Sequence, residues 1–289
     1  MLTGLSPDIG MLPIAEMLPQ TLLGSISELP LSDDAAIRWP MRGVSWTPRP
    51  CRGGYTAGID GCTPSNINTS DRPSCEEAVE QAAFSLHDVL LLSTLNAIDI
   101  DITALMGERF DGFKSHLFAE ELLSGGGSGG MSLAGSATEP DGIAFGDPAT
   151  PIWNALTVLE AELSQRLLGR TGLIHIAPGL LAQAVTSYGL HLEGGVWRTP
   201  LGNRLVTDSG YTAPVAPDGE TASAAGEDWV YASGPVFYRS TASRALGTPD
   251  TGGRHLLQNK VTQWVSGSGL LVFDPCPVTA VLASYALEG

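Results

Sequence analysis

The chain has 289 residues, enough for one large domain or two smaller ones, and its 43% hydrophobic content supplies a core. Acids outnumber bases 31 to 15, a formal charge of −16, which excludes the basic character of a free nucleic-acid-reading domain. Only 16% of residues are charged, against roughly 25% in ordinary soluble domains. Neutral Ser, Thr and Gly, or contact with other subunits, must therefore cover the rest of the surface. Lysine is confined to Lys114 and Lys260, and the other 13 cations are arginines, whose planar, multi-donor heads suit protein interfaces. No apolar run approaches the ~20 residues of a membrane helix. No charged-then-apolar leader opens the sequence. Cys51, Cys62, Cys75 and Cys276 form no C-x-x-C pair, and a reduced, cytoplasmic setting during synthesis is expected.

Residues 1–37 carry Pro7, Pro13, Pro19 and Pro30 among leucines. This reads as an extended arm with one short helical piece near 13–23, too apolar for a disordered tail. The arm holds Asp8, Glu16, Glu28, Asp33 and Asp34 and no Lys or Arg, whereas residues 38–59 hold Arg38, Arg42, Arg49 and Arg52 and no acid. Such blocks suggest complementary contact between segments, within one chain or between chains. Residues 38–73, with Trp39, Trp46 and many prolines and glycines, read as a protruding hairpin-like loop of short strands. From Ser74 a capping box with Glu77, followed by Val79, Ala82, Ala83, Leu86, Val89 and Leu90 on one face, predicts a helix of five or six turns over 74–95. Residues 96–123 look mixed, with a short helix near 114–123. The Gly-Ser run within 124–137 reads as a flexible surface loop.

The spacing of Ile152, Leu156, Leu159, Leu163 and Leu167, after Pro148 and Pro151 and before Gly169, predicts a helix over 150–168. "LIHIA" reads as a buried strand and "PGLLAQAVTSYG" as a short helix. "WRTPLGNRLVTDSGY" reads as strand, turn and strand, and "DWVYASGPVFYRS" as another strand pair. Residues 255–289 read as two β-forming runs around a Gly-Ser turn. The fold class is α+β.

Catalytic motifs fail on context. Gly126-Gly127-Ser128-Gly129-Gly130 fits G-x-S-x-G formally, but the nucleophile elbow needs a strand before it and a helix after it. His191-Leu192-Glu193 matches half of a zinc-deaminase signature, and Pro275-Cys276 lacks the second thiolate. His87 and His175 read as structural histidines. Gly267-Ser268-Gly269 has no third glycine and leads into a strand. Asp99 and Asp101 share a strand face, which an exposed polar surface explains. No catalytic constellation, metal site or cofactor is expected.

The order of elements is the informative feature: apolar arm, Arg-rich loop, long helix, flexible insertion, second helix into "GLIHIAPGLLAQAV", then "GGVWRTPLGNRLVTDSGY" and a closing "NKVTQWVSGSGLLVFDPCPVTAVL". It resembles the HK97-type major capsid proteins of tailed phages and their encapsulin relatives. The resemblance implies an N-terminal arm at 1–37 and an E-loop-like extended loop at 38–73. A peripheral domain follows at 74–172, with a spine helix at 74–95 and a second helix at 150–168. The axial domain takes 173–245, and C-terminal strands at 246–289 return to the peripheral domain. It implies a structural, non-enzymatic protein that assembles with itself into hexamers and pentamers, closing an icosahedral shell around non-specifically held double-stranded DNA. Portal or decoration proteins are its neighbours, no membrane is involved, and the location is the virion after assembly in the host cytoplasm. The candidate inter-subunit contacts are Arg38, Arg42, Trp46, Arg49 and Arg52. The loop contains no lysine, so the lysine cross-link of some family members is expected to be absent. Rival readings are a minor capsid, decoration or tail-related protein, an encapsulin shell, and an enzyme of unknown type.

Overall fold

A computed structural model describes residues 20–46, 79–93, 102–125, 131–138, 143–211, 216–218, 223–242, 244–246, 254–255, 260–274 and 278–285. In chain order the elements are α1 (Leu22–Ser25), β1 (Ser27–Glu28), α2 (Asp33–Arg42), β2 (Val44–Trp46), β3 (Val79–Gln81), β4 (Phe84–Ser93), α3 (Ile102–Ser124), α4 (Leu133–Thr138), β5 (Ile143–Pro151) and α5 (Ile152–Arg166). There follow β6 (Leu173–Ile176), α6 (Pro178–Ser187), β7 (His191–Glu193), β8 (Val196–Arg198), β9 (Arg204–Thr207), a 3₁₀ turn (Ser209–Tyr211), β10 (Glu227–Ser233), β11 (Val236–Ser240), β12 (Arg244–Leu246), β13 (Arg254–His255), β14 (Lys260–Phe273) and β15 (Thr279–Ser284).

Two sheets organise these elements. In the first, β14 is the girdle: fourteen residues, roughly 45 Å of extended chain at ~3.3 Å each. Antiparallel β4 pairs with residues 260–269 of it, β11 continues along 269–273, and β12 flanks 264–266 on the edge opposite β4. β13 pairs with its start, and β1 adds to β11 in parallel. The second sheet is mixed, in the order β5-β15-β10-β6-β9-β8-β7. β2 and β3 form a separate two-stranded antiparallel ladder. It closes tightly, because a Cβ on Gly43, at φ 66°, would sit 2.1 Å from the Gln81 carbonyl oxygen.

Several expectations are met. The helix expected at 150–168 is α5, "LIHI" is a four-residue strand buried throughout, and α6 follows it. The "TPLGN" turn joins antiparallel β8 and β9.

Others are overturned. The expected spine helix at 74–95 is strand where it is described: β3 and β4. Phe84 and Leu86 point inward while Ser85 and His87 are exposed, a period of two, and ten paired positions against β14 outweigh the helical spacing. The long helix is instead α3, 23 residues and about 35 Å at 1.5 Å each. From Phe110 onward it is wrapped on several sides, with Phe110, Ser115, Phe118, Ala119, Glu121, Leu122 and Leu123 all buried. No single apolar stripe is left to read. The loop expected from residue 38 begins as helix, since α2 runs from acidic Asp33 and Asp34 to Gly43. Residues 126–130 of the glycine run lie outside the described residues, and 133–138 form α4.

The expected domain boundaries cut across the sheets. α5, expected in the peripheral part, shares one core with the second sheet: Ile152, Leu156, Leu159 and Leu163 pack with Ile174, Ile176, Leu205, Val230 and Val281. β11, expected in the axial part, lies in the first sheet. The "strand pair" β10 and β11 divides between the two sheets, as do β14 and β15. A second core, around Phe84, Phe110, Phe118, Leu122, Val206, Tyr211, Tyr231 and Phe273, ties α3 to both.

Gly267-Ser268-Gly269, expected as a turn, runs straight through β14. A Cβ on Gly269 would lie 2.5 Å from the Phe84 ring and 2.9 Å from that of Phe118, and one on Gly267 3.2 Å from Phe110. Bare backbone lets the three rings close over the strand. Gly269→Ala is expected to lower stability by about 1–3 kcal/mol through overpacking, read as the shift of a urea-unfolding midpoint.

Candidate assembly surface

Of the candidate contact residues, Arg38 and Arg42 lie on α2 and Trp46 on β2 packs beside it. On its inner side Trp39 is 3% exposed and packs on Leu270 and Val272 of β14, with Leu29, Leu31, Val44, Trp46 and Ala83 around it. Trp46 therefore belongs largely to its own chain's core. On the outer side Arg38 and Arg42 are exposed, and Arg38 pairs with Asp34 at 3.1 Å one turn back. Arg49 and Arg52 lie outside the described residues. Sequence reading missed Ile37 and Met41, which are 77% and 90% exposed on the same outer face. Their i,i+4 spacing was the available signal, obscured because the boundary between the extended arm at 1–37 and the loop at 38–73 falls between them. Trp153, Leu168, Leu192 and Leu201 are the other strongly exposed large apolar residues among those described.

The root of the arm is fastened to its own subunit. Leu22 is fully buried, and its N–H donates to Asp208 Oδ2 at 3.1 Å. The Ser115 hydroxyl of α3 donates to the same oxygen at 2.6 Å and accepts the Leu23 N–H at 3.2 Å. Asp208 Oδ1 accepts the Gly210 N–H at 3.3 Å. One carboxylate thus joins the first turn of α1, the middle of α3 and the end of β9, and favours the N-terminal end of the short helix. Thr207 donates its N–H to the Gln20 carbonyl at 2.9 Å, and Arg204 bonds the Ser25 carbonyl. Glu28 then pairs with Arg239 at 2.9 Å. An arm burying itself wholly on neighbours is ruled out from residue 20 onward; residues 1–19 lie outside the described residues.

The "TPLGN" turn is held from α5. Glu160 is 4% exposed, and its carboxylate accepts from the Thr199 hydroxyl, the Asn203 side-chain amide at 3.1 Å, the Leu201 N–H at 3.3 Å and the Tyr188 hydroxyl at 2.8 Å. Burial, aided by that bond to Glu160, pushes the Tyr188 phenol up to about 12. The α5 C-terminus closes with Leu168 at φ 54°, a left-handed position that costs a non-glycine residue about 1–2 kcal/mol, and its side chain is exposed.

Of the two histidines read as structural, His175 is buried and hydrogen-bonded and His87 is exposed. His175 is 2% exposed, between the Tyr211 hydroxyl and the Ser233 hydroxyl, each 2.8 Å away. Burial depresses its pKa to about 3, so the ring is neutral near pH 7. His87 and His191 are exposed on β4 and β7. Among the described residues no three His, Cys, Asp or Glu side chains gather as metal donors, and no helix is long and apolar enough to cross a membrane.

No protein-family model matches the sequence, and no curated protein matches it. Solved structures match along nearly its whole length. The capsid of a native GTA particle superposes with a TM-score of 0.57 at 11% identity, over 98% of this chain and 96% of that one. The SrpI encapsulin complex of Synechococcus elongatus PCC 7942 gives 0.56 at 10% identity, over 99% and 93%. A chain of Gordonia phage Cozz gives 0.54 at 14% identity, over 98% and 92%. The architecture is that of a shell-subunit fold. Specifically, it is the α+β HK97-type fold that the order of elements suggested, with its long helix at 102–124.

Asp208→Ala leaves the Leu22 N–H and the Ser115 hydroxyl without their acceptor. It is expected to cost roughly 2–4 kcal/mol and to speed limited proteolysis within residues 20–28. Acid should expose His175: the unfolded chain takes up a proton near pH 6.5 while the folded ring resists until about 3. Stability then falls as pH drops through that window, by about 1.4 kcal/mol per unit. His175→Gln removes this component, so its urea-derived stability should fall by about 2–3 kcal/mol less than the wild type's between pH 7 and pH 4.5.

Proposed function

We propose that this chain is a major capsid protein, which self-assembles into hexamers and pentamers that close an icosahedral head shell around packaged double-stranded DNA. The carrying observation is the extent of the likeness: 98% of this chain and 96% of a GTA-particle capsid chain superpose, so the resemblance is to an entire shell subunit. Low charge density, exposed Ile37 and Met41, and arginine used in place of lysine support a surface covered by copies of itself. The net charge of −16 suits a wall that repels the genome and keeps it mobile. In this reading portal and decoration proteins complete the virion, assembly takes place in the host cytoplasm, and the chain catalyses nothing. Burial of apolar side chains across subunits drives assembly.

A second reading, an encapsulin-like shell holding protein cargo, is favoured by the equally extensive match to the SrpI encapsulin. Electron microscopy of the purified protein is expected to show closed shells or ring-shaped capsomers. A monomer at all concentrations would sink both readings. Nuclease-protected DNA inside particles from the native source separates capsid from encapsulin, and a copy number of hundreds per particle separates a major from a minor capsid protein.

A further inference from the structure

The outer face of α2 is built to meet itself. Asp33 and Asp34 lie at its N-terminal end and Arg42 at its C-terminal end, with Ile37, Arg38 and Met41 between them, all exposed, Ile37 and Met41 at 77% and 90%. The inner face is already committed, through Trp39, to β14. A helix with acid at one end, base at the other and an apolar pair between is complementary to its own antiparallel copy. Rotation by a two-fold axis brings Asp34 of each helix toward Arg42 of the other and sets Ile37 against Met41. The antiparallel arrangement also opposes the two helix dipoles favourably.

We propose that α2 is a two-fold contact between two copies of this chain, an isologous seam of Ile37 and Met41 closed at both ends by Asp34–Arg42 pairs. This rests on the shell reading above, because ten residues span only about 15 Å and cover too little surface for a free dimer. The seam joins subunits that other contacts already hold. Asp34 Oδ1 bonds Arg38 within its own helix at 3.1 Å, so in the seam that carboxylate is shared between Arg38 of its own chain and Arg42 of the second copy.

The test is a charge exchange in the full chain, read by light scattering and electron microscopy of assembly. Asp34→Arg and Arg42→Asp each place like charges at both ends of the seam, and each should raise the protein concentration at half-assembly at least tenfold. The double variant restores opposite charges at both ends and should return within about twofold of the wild type. Melting temperatures near the wild-type value show that the exposed substitutions spare the fold. As an independent readout, Ile37→Cys should add a bismaleimide-linked dimer beyond whatever the native cysteines give. Normal assembly by both single variants overturns the proposal while leaving the shell reading intact. So does a folded double variant that stays impaired, since it would place α2 against a different surface. A wild type that never assembles overturns the shell reading and this seam together.

Discussion

The buried carboxylate of Asp208 sets the relation between the parts of this molecule. It gathers a main-chain N–H from α1, a hydroxyl from α3 and a main-chain N–H from the turn after β9. Those groups come from residues 22, 115 and 210, far apart in sequence, and each would be an unmet donor in a dry interior without it. With them fixed, the arm enters between the two sheets at one place. Gln20 and Ser25 then bind the second sheet through Thr207 and Arg204, and Ser27 and Glu28 extend the first through β11. A short segment therefore bridges both sheets before α2 begins.

That attachment changes how such a subunit is understood to be incomplete by itself. The apolar arm is expected, from sequence, to find its burial on neighbours. From residue 20 it is instead part of its own subunit's core, with Leu22 enclosed beside α3 and β9. Among the described residues, the large apolar side chains left most exposed are those on the outer side of α2, a scatter of leucines and Trp153. In the proposed shell, contact would then fall on a helix docked against β14. A preorganised contact loses less entropy on assembly than a flexible arm does.

Legibility from sequence followed the locality of the forces. α5, β6, α6 and the β8–β9 turn are written in short-range pattern, and Glu160 only reinforces a turn that "TPLGN" already favours. The region 74–95 misleads because its capping box and helical spacing are local, whereas the ladder that decides its conformation is supplied by residues 260–269. α3 was obscured for the opposite reason: contacts on several sides erase the stripe that marks a surface helix. Of the contact residues, Arg38 and Arg42 were visible as a charge block, but their setting on a helix with Ile37 and Met41 was not. Asp208 carried no signal at all, since a carboxylate that binds main-chain donors of remote segments has no sequence pattern.

The paired glycines of β14 act as a keyway. Phe84 and Phe118 seat over Gly269, and Phe110 over Gly267. A one-position slip of β4 along β14 would set Phe84 opposite Leu270 or Ser268 and turn its ring to the other face of the sheet, away from Phe118. The longest ladder among the described residues therefore has one alignment that keeps the Phe84 ring over bare backbone.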